Sequence, residues 1–247
     1  MRGFRAAAGL PARLLFRGGV FLLLLVLFLH AGGAAAHGPD AAAAGPAPMA
    51  FVPPAAGSYE LQRIMRAADG RVLDTAGRPH ALSHYTGGKI TLLAFIYSTC
   101  ADPAGCPYAY LVFHQLQARL ADNPRLAEKV RLVSLSFDPA RDTPEALAEY
   151  AGEHTDAARP SVEWAFLTTA SVSDLLPILE GFGQDVFLDV DPGTGAALGS
   201  YSHVLKVFLI DPSRTVREVY TTAFLMPDMV YNDIVTLLLE ARPTQGP

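Results

Sequence analysis

The amino-acid sequence predicts an α/β sandwich built around a central sheet. Apolar runs rich in β-branched and aromatic residues occur at three places along the chain, and segments with apolar residues at helical spacing separate them. A hairpin-like pair of strands and one more helix end the pattern. A chain that alternates strands and helices in this way packs helices against a largely parallel sheet, with right-handed connections.

The first predicted strands are short, and a long buried strand follows them. Residues 59–65 are compatible with a strand, and residues 71–82 hold two short segments around a turn at residues 75–77. The run ITLLAFIY at residues 90–97 is almost continuously apolar, which is typical of a strand buried on both faces. Cys100 follows at the carboxyl end of this strand, where ligands bind in sheets of this type.

Helical patterns separate the next strands, which are predicted at residues 131–137 and 162–168. Pro107 opens the first helix and Thr143-Pro144 caps the second. The apolar stripe of the first helix contains Tyr108, Leu111, Val112, Leu116 and Leu120, and that of the second contains Leu147, Tyr150, Ala151 and His154.

The last part of the chain completes the sandwich. Ser171 and Asp174 resemble a capping box before a helix. The runs VLKVFLI at residues 204–210 and TVREVY at residues 215–220 predict a hairpin, and Pro227 opens a closing helix.

The amino terminus has the three parts of a secretory signal. Residues 1–17 are basic, residues 18–29 form an apolar run of twelve, and alanines at positions 34–36 supply a cleavage site. We expect cleavage after Ala36; retention of residues 18–29 as a membrane anchor is the alternative, although a span needs about 20 apolar residues. The protein is therefore expected to be exported, either periplasmic or anchored in the inner membrane with its domain facing the periplasm.

The composition of the rest of the chain predicts a tether, a folded domain and a tail, and its charge argues against a nucleic-acid partner. Residues 37–57 are rich in Ala, Pro and Gly and predict a flexible tether, residues 58–242 form the folded domain, and residues 243–247 are a tail. Four of the 19 basic residues and none of the 24 acidic residues lie in the first 36 positions. The remainder carries a net charge of −9, which argues against nucleic-acid binding.

The chemistry of the chain lies in its two cysteines, Cys100 and Cys106. A permanent disulfide and two inert thiols are the structural alternatives; closing so short a loop stabilises a fold by only about 2 kcal/mol. The functional interpretation is a redox dithiol or a soft-metal site, because a thiol near a helix amino terminus has a lowered pKa. Two thiolates favour Cu(I). Among seven histidines His203 is a candidate third ligand, although a lone histidine at the start of a strand is more often structural.

Three segments together resemble the Sco/SenC family of copper proteins. They are IYSTCADPAGCP at residues 96–107, SFDPARDTPEAL at 136–147 and SHVLKVFLIDP at 202–212, in this order behind a signal. The stretch from Asp138 to Pro144 is the most specific part, and the resemblance covers residues 58–242. It implies a thioredoxin-like three-layer sandwich with a central mixed sheet.

The resemblance also implies the site and its partners. Carried over residue by residue, Cys100, Cys106 and His203 are the expected ligands of copper, as Cu(I) or Cu(II). The expected partners are a copper-receiving respiratory protein, such as a cytochrome c oxidase subunit, and a thiol reductant, since the family helps to metallate the binuclear copper site of that oxidase.

Three positions depart from the family pattern. The cysteines are spaced C-x5-C instead of C-x3-C, and Ala101 replaces the proline that usually follows the first. Ser202 stands where an aspartate usually precedes the histidine. Arg214 stands where a turn glycine is expected.

Three functions are therefore compared. The first is a copper chaperone, which is not an enzyme in the turnover sense. The second is a thiol–disulfide oxidoreductase without a metal role. The third, a peroxidase that uses Cys100, is the weakest, because Thr99 directly precedes Cys100 instead of showing the Thr-x-x-Cys spacing.

Overall fold

A computed structural model describes residues 51–154 and 162–241. These residues form ten strands and six helices. The strands are β1 (Met65–Arg66), β2 (Arg71–Asp74), β3 (Pro79–Ala81), β4 (Ile90–Ile96), β5 (Val130–Ser136), β6 (Glu163–Thr168), β7 (Val186–Val190), β8 (Ala197–His203), β9 (Lys206–Ile210) and β10 (Thr215–Thr221). The helices are α1 (Leu82–Thr86), α2 (Cys106–Ala121), α3 (Pro124–Ala127), α4 (Pro144–His154), α5 (Val172–Phe182) and α6 (Pro227–Glu240).

The predicted α/β sandwich with a central mixed sheet is confirmed. Eight strands lie in the order β1-β10-β9-β4-β5-β6-β2-β3. Strands β4, β5 and β6 run parallel, whereas β9 is antiparallel to β4 and β2 is antiparallel to β6. Every residue of β4 and β5 is buried, so both faces of the sheet are covered at its centre.

The first predicted strand is shorter than expected. Met65 and Arg66 are the strand residues that pair with β10, and residues 59–64 are not in a strand, although the Ile64 amide donates to the Val216 carbonyl at 2.9 Å. The guanidinium of Arg217 donates hydrogen bonds to the carbonyls of Leu61 and Gln62, at 2.7 and 3.0 Å. Since a side chain already satisfies these carbonyls, the pairing begins only further along the chain.

The β7–β8 hairpin is the largest element that the sequence did not predict. It forms a separate two-stranded sheet, in which Val186 pairs with His203 and Leu188 pairs with Tyr201. The expectation that His203 begins the strand of residues 204–210 is therefore wrong. His203 ends β8, and β9 begins at Lys206, because the pairing of His203 with Val186 draws it into the hairpin.

Most of the two chain ends lies outside the described structure. Residues 1–50 and 242–247 lie outside the described residues, so the predicted signal, most of the tether and the tail are not described. The end of the predicted tether contacts α6, where the Gly57 amide donates to the Thr236 hydroxyl at 2.9 Å. Within the two described stretches, no helix has the length and apolar character that crossing a membrane requires.

Candidate metal and redox site

The two cysteines lie on either side of a short loop at the carboxyl end of β4. The chain leaves β4 at Ile96, turns through Cys100, and enters α2 at Cys106, with Pro107 in the first helical turn. Cys106 is completely buried, whereas Cys100 is half-buried. A side chain at Gly105 would come within 3.3 Å of the Cys100 sulfur, so the glycine leaves space for that sulfur beside the start of the helix.

Cys100 and Cys106 carry free thiols that are hydrogen-bonded to each other. The Cys106 thiol donates to the Cys100 sulfur, and this hydrogen bond is the main reason that the pKa of Cys100 lies far below that of an ordinary thiol. The amides of Cys106 and Asp102 also donate to that sulfur. The same thiol–thiol bond, together with burial, raises the pKa of Cys106. Of the two thiols, Cys100 is therefore the one that loses its proton more readily.

Tyr97 links the cysteines to His203. Its hydroxyl donates to Cys100; burial, followed by the charge of Cys100 and this bond, raises the pKa of Tyr97 to about 12. Its ring centroid lies 6.1 Å from that of His203 and 5.2 Å from that of Phe137, in edge-on and tilted contacts. Sequence reasoning missed Tyr97, although it lies only three positions before Cys100.

His203 lies in an aromatic pocket. Its ring centroid is 4.9 Å from that of Phe137, and its Nε2 atom is buried without a hydrogen-bond partner among the described residues. Leaving such a polar atom buried and unsatisfied costs about 1–3 kcal/mol. Because a neutral imidazole nitrogen is a good copper ligand, this orphaned nitrogen fits the predicted role of His203.

The segment from Asp138 to Pro144 fastens the cysteine loop to the sheet. Asp142 is buried, and one of its oxygens accepts the Ser98 amide at 3.0 Å. The Ser98 and Ser136 hydroxyls donate to the same carboxylate. Asp142 thereby connects Ser98, which lies two residues before Cys100, with Ser136 at the end of β5.

The same segment also holds the hairpin that carries His203. The Arg141 guanidinium donates to the Gly199 carbonyl in β8 at 2.5 Å and pairs with Asp138 at 3.2 Å. The Tyr201 hydroxyl donates to Asp138 in turn. The motif that carried the family resemblance therefore connects the cysteine loop with the His203 hairpin.

Two of the departures from the family pattern have a structural account. The Ser202 hydroxyl donates to Asp189 of β7 at 2.6 Å, so an acidic group is present beside Ser202. It lies on the face of the hairpin opposite to His203, because successive strand residues point to opposite faces. Arg214 adopts the left-handed conformation, with φ of 70°, that favours the expected glycine. Its guanidinium donates to the carbonyls of Ala67 and Ala68, both at 3.2 Å.

The structure brings two of the three predicted ligands together. Cys100 and Cys106 are hydrogen-bonded, and His203 contacts Tyr97, which contacts Cys100. Among the residues that the structure describes, no group of three or more His, Cys, Asp and Glu side chains is close enough to hold a metal ion. Joining His203 to the two sulfurs therefore requires a local rearrangement at Tyr97 or in the hairpin.

Comparison with known proteins agrees with this architecture. The family model described as SCO1/SenC matches residues 66–239. No curated protein has a sequence that matches this chain significantly.

Several solved structures share the fold. Copper-bound ScoI of Arabidopsis thaliana has a TM-score of 0.57 at 19% identity, covering 70% of this chain and 98% of that one. Apo Sco1 of Thermus thermophilus has a TM-score of 0.54 at 25% identity, covering 73% and 94%. BsSco, in which a disulfide switch was identified, has a TM-score of 0.54 at 22% identity, covering 72% and 96%. These likenesses confirm the thioredoxin-like fold, and the match of the family model over most of the chain shows that this protein belongs to the SCO1/SenC family.

Proposed function

We propose that this chain is an exported copper-binding, thiol-redox protein that helps to deliver copper to a respiratory copper protein or keeps the cysteines of that protein reduced. The observation that carries the proposal is that two free thiols are hydrogen-bonded to each other and that Tyr97 links them to His203. The Nε2 atom of His203 is buried without a hydrogen-bond partner among the described residues. A permanent disulfide would leave no thiolate for such a role, and inert thiols would not need the hydrogen bonds that stabilise Cys100 as a thiolate.

Copper would be a cargo of this site. Cu(I) prefers a few soft ligands, and two thiolates with one imidazole form a suitable three-coordinate set. Cys100 already has thiolate character, whereas Cys106 must lose its proton for copper to bind. We infer that His203 completes the set after the Tyr97 hydroxyl releases Cys100 or the hairpin shifts towards it.

The relatives support both parts of the proposal. Copper is bound in the structure of the Arabidopsis ScoI, and BsSco is described as a member of a family of cytochrome c oxidase assembly proteins with a disulfide switch. Delivery to a cytochrome c oxidase subunit, and the need for a thiol reductant, are transferred to this chain on that basis. Export rests on the signal-like residues 1–36, with the periplasm as the expected compartment.

A thiol–disulfide oxidoreductase without a metal role is the second candidate. One observation favours it: the half-exposed Cys100 loses its proton more readily than the buried Cys106. Cys100 would attack a client disulfide and form a mixed disulfide, and Cys106 would then attack Cys100 and release the reduced client. The dithiol of this protein is oxidised as the client disulfide is reduced, so a separate thiol reductant must restore it.

An anaerobic Cu(I) titration against a competing chelator tests the proposal. The reduced protein is expected to bind one Cu(I) per chain, and Cys100→Ser and Cys106→Ser are each expected to abolish tight binding. If the reduced protein binds no Cu(I) but exchanges disulfides rapidly, the second candidate replaces the first. A measured dithiol reduction potential then ranks this activity against cellular reductants.

A further inference from the structure

The β7–β8 hairpin contacts the body of the protein through one face, near the end that carries His203. Tyr201 and His203 lie on this face and pack against Tyr97 and Phe137. Ser202 and its pairing partner Phe187 point to the opposite face, which we call the outer face of the hairpin. Besides these two residues it contains Asp189 and Ser200, which are hydrogen-bonded on the same side. Leu198 of β8 lies beyond a register shift in the hairpin and is counted with this surface because its side chain is exposed.

The outer face exposes large apolar side chains. Phe187 is 66% exposed and Leu198 is 60% exposed, and Val204, which directly follows His203, is 59% exposed. A short hairpin gains nothing for its own stability from such exposure, since no part of the described protein covers these side chains. Several large apolar side chains exposed on so small an element are typical of a surface that binds another molecule.

The outer face is also acidic and preorganised. Both oxygens of Asp189 accept hydroxyl hydrogen bonds, from Ser200 and Ser202, each at 2.6 Å. None of the described Lys or Arg side chains forms an ion pair with it. The hairpin adds Asp185 and Asp191, and residues 185–203 contain no Lys or Arg. The cysteine loop, residues 98–106, likewise contains Asp102 and no basic residue.

We propose that the outer face of the hairpin is the docking surface for the client protein, and that the client presents an apolar side chain flanked by Lys or Arg. This rests on the proposed function, because the surface belongs to the hairpin that carries His203 beside the half-exposed Cys100. A basic partner meets the uncompensated carboxylates, whereas a second copy of this acidic chain or an anionic lipid surface would place like charges together. A hairpin-sized contact suits a transient encounter better than a permanent complex.

The test uses a purified, soluble copper-binding domain of a cytochrome c oxidase subunit as the probe. Its affinity and association rate are measured for the wild type, Phe187→Ser and Asp189→Asn. The matched controls are Leu176→Ser, which removes a 49% exposed leucine on α5, and Glu128→Gln, which removes an exposed carboxylate just after α3. The Cu(I) affinity of every variant is measured separately. An unchanged Cu(I) affinity shows that a variant is folded and that any loss of probe binding is a loss of docking. If Phe187→Ser does not fold, Leu198→Ser is used in its place.

We expect Phe187→Ser to weaken binding of the probe by about tenfold, as for a central apolar contact. We expect Asp189→Asn to slow association a few-fold and to reduce its dependence on salt. Both variants keep the wild-type Cu(I) affinity, and both controls behave as the wild type does. The proposal is overturned if the wild type does not bind the probe, if both hairpin variants bind it as the wild type does, or if the outer face instead mediates self-association in sedimentation experiments.

A failure of copper binding gives a different result. If the wild type binds no Cu(I), the proposed copper role fails, but the same variants still report docking of the reduced protein to a probe that carries an oxidised dithiol. If Phe187→Ser then loses binding to this probe, the outer face is still the docking surface, but for a client of thiol exchange and not of copper delivery.

Discussion

The cysteine loop and the β7–β8 hairpin each carry predicted copper ligands, but they are held in different ways. The cysteine loop extends from β4, and every residue of β4 and of its neighbour β5 is buried. No residue of β7 or β8 is buried, and these two strands pair only with each other. An isolated two-stranded hairpin is only marginally stable, so the His203 side of the site depends on its contacts with Tyr97, Phe137 and Arg141.

This difference indicates how a site could bind a cargo and still release it. The cysteines are positioned by the most stable part of the sheet, whereas the third ligand is on an element that can open without unfolding the core. The segment from Asp138 to Pro144 couples the two, since Asp142 bonds to the cysteine loop and Arg141 bonds to the hairpin. Substitutions within this one segment should therefore separate the two regions experimentally.

The largest effect is expected from Asp142→Ala. The substitution leaves the Ser98 amide and two serine hydroxyls without their buried acceptor, so the free energy of unfolding should fall by about 3 kcal/mol. Urea unfolding monitored by circular dichroism measures this value. Asp228→Asn, on the exposed side of α6, is the control and should change it by less than about 0.5 kcal/mol. A loss for Asp142→Ala that is no larger than the control would show that Asp142 does not anchor the loop.

The next effect concerns the reactivity of Cys100. Because the pKa of Cys100 is lowered, its thiolate should persist below pH 7, whereas an ordinary thiol with a pKa of about 8.5 is largely protonated there. Alkylation of the reduced protein at pH 6 should therefore modify Cys100 roughly tenfold faster than a free thiol, and Cys106 only slowly.

Mass spectrometry of the peptides identifies which cysteine is modified. Cys106→Ala removes the thiol that stabilises the thiolate and supplies no other donor, so the pKa of Cys100 should rise and its alkylation at pH 6 should slow. Equal alkylation of both cysteines in the wild type would contradict the asymmetry of the pair.

A smaller and more local effect is expected from Arg141→Gln. Loss of its bonds to Gly199 and Asp138 should destabilise the hairpin by about 1 kcal/mol, which corresponds to about fivefold faster amide exchange in β7 and β8. Exchange in β4 and β5 should remain unchanged. Arg78→Gln removes an exposed guanidinium paired with Asp74 and serves as the control, with no expected change in the hairpin. Uniformly faster exchange throughout the sheet would mean that the hairpin does not open independently.

The difference between the buried central strands and the exposed hairpin also explains which strands the sequence could predict. The strands predicted at 90–97 and 131–137 are found at Ile90–Ile96 and Val130–Ser136, because strands buried on both faces consist of continuous apolar runs. The hairpin was missed because its strands mix exposed apolar residues with Asp, Gly and Ser, so they show neither a buried run nor a regular alternation.

The cysteines of the site were recognisable from local sequence, but their environment was not. The position of Cys106 at the start of α2 follows from Pro107 and the apolar stripe after it. The bond from Ser98 to Asp142 joins residues 44 positions apart, and that from Arg141 to Gly199 joins residues 58 positions apart. Contacts over such separations depend on how the strands are ordered in the sheet, and no local pattern records that order.

X-ray absorption spectroscopy of the Cu(I)-loaded protein tests the central claim, which is that ligands from the cysteine loop and the hairpin meet on one copper ion. The wild type is predicted to show two sulfur ligands and one imidazole nitrogen. His203→Ala should lose the nitrogen, bind Cu(I) more weakly and still form the Cys100–Cys106 disulfide on oxidation, since imidazole takes no part in that bond. A wild-type spectrum with sulfur ligands alone, or an unchanged spectrum in His203→Ala, would show that the hairpin does not supply the third ligand.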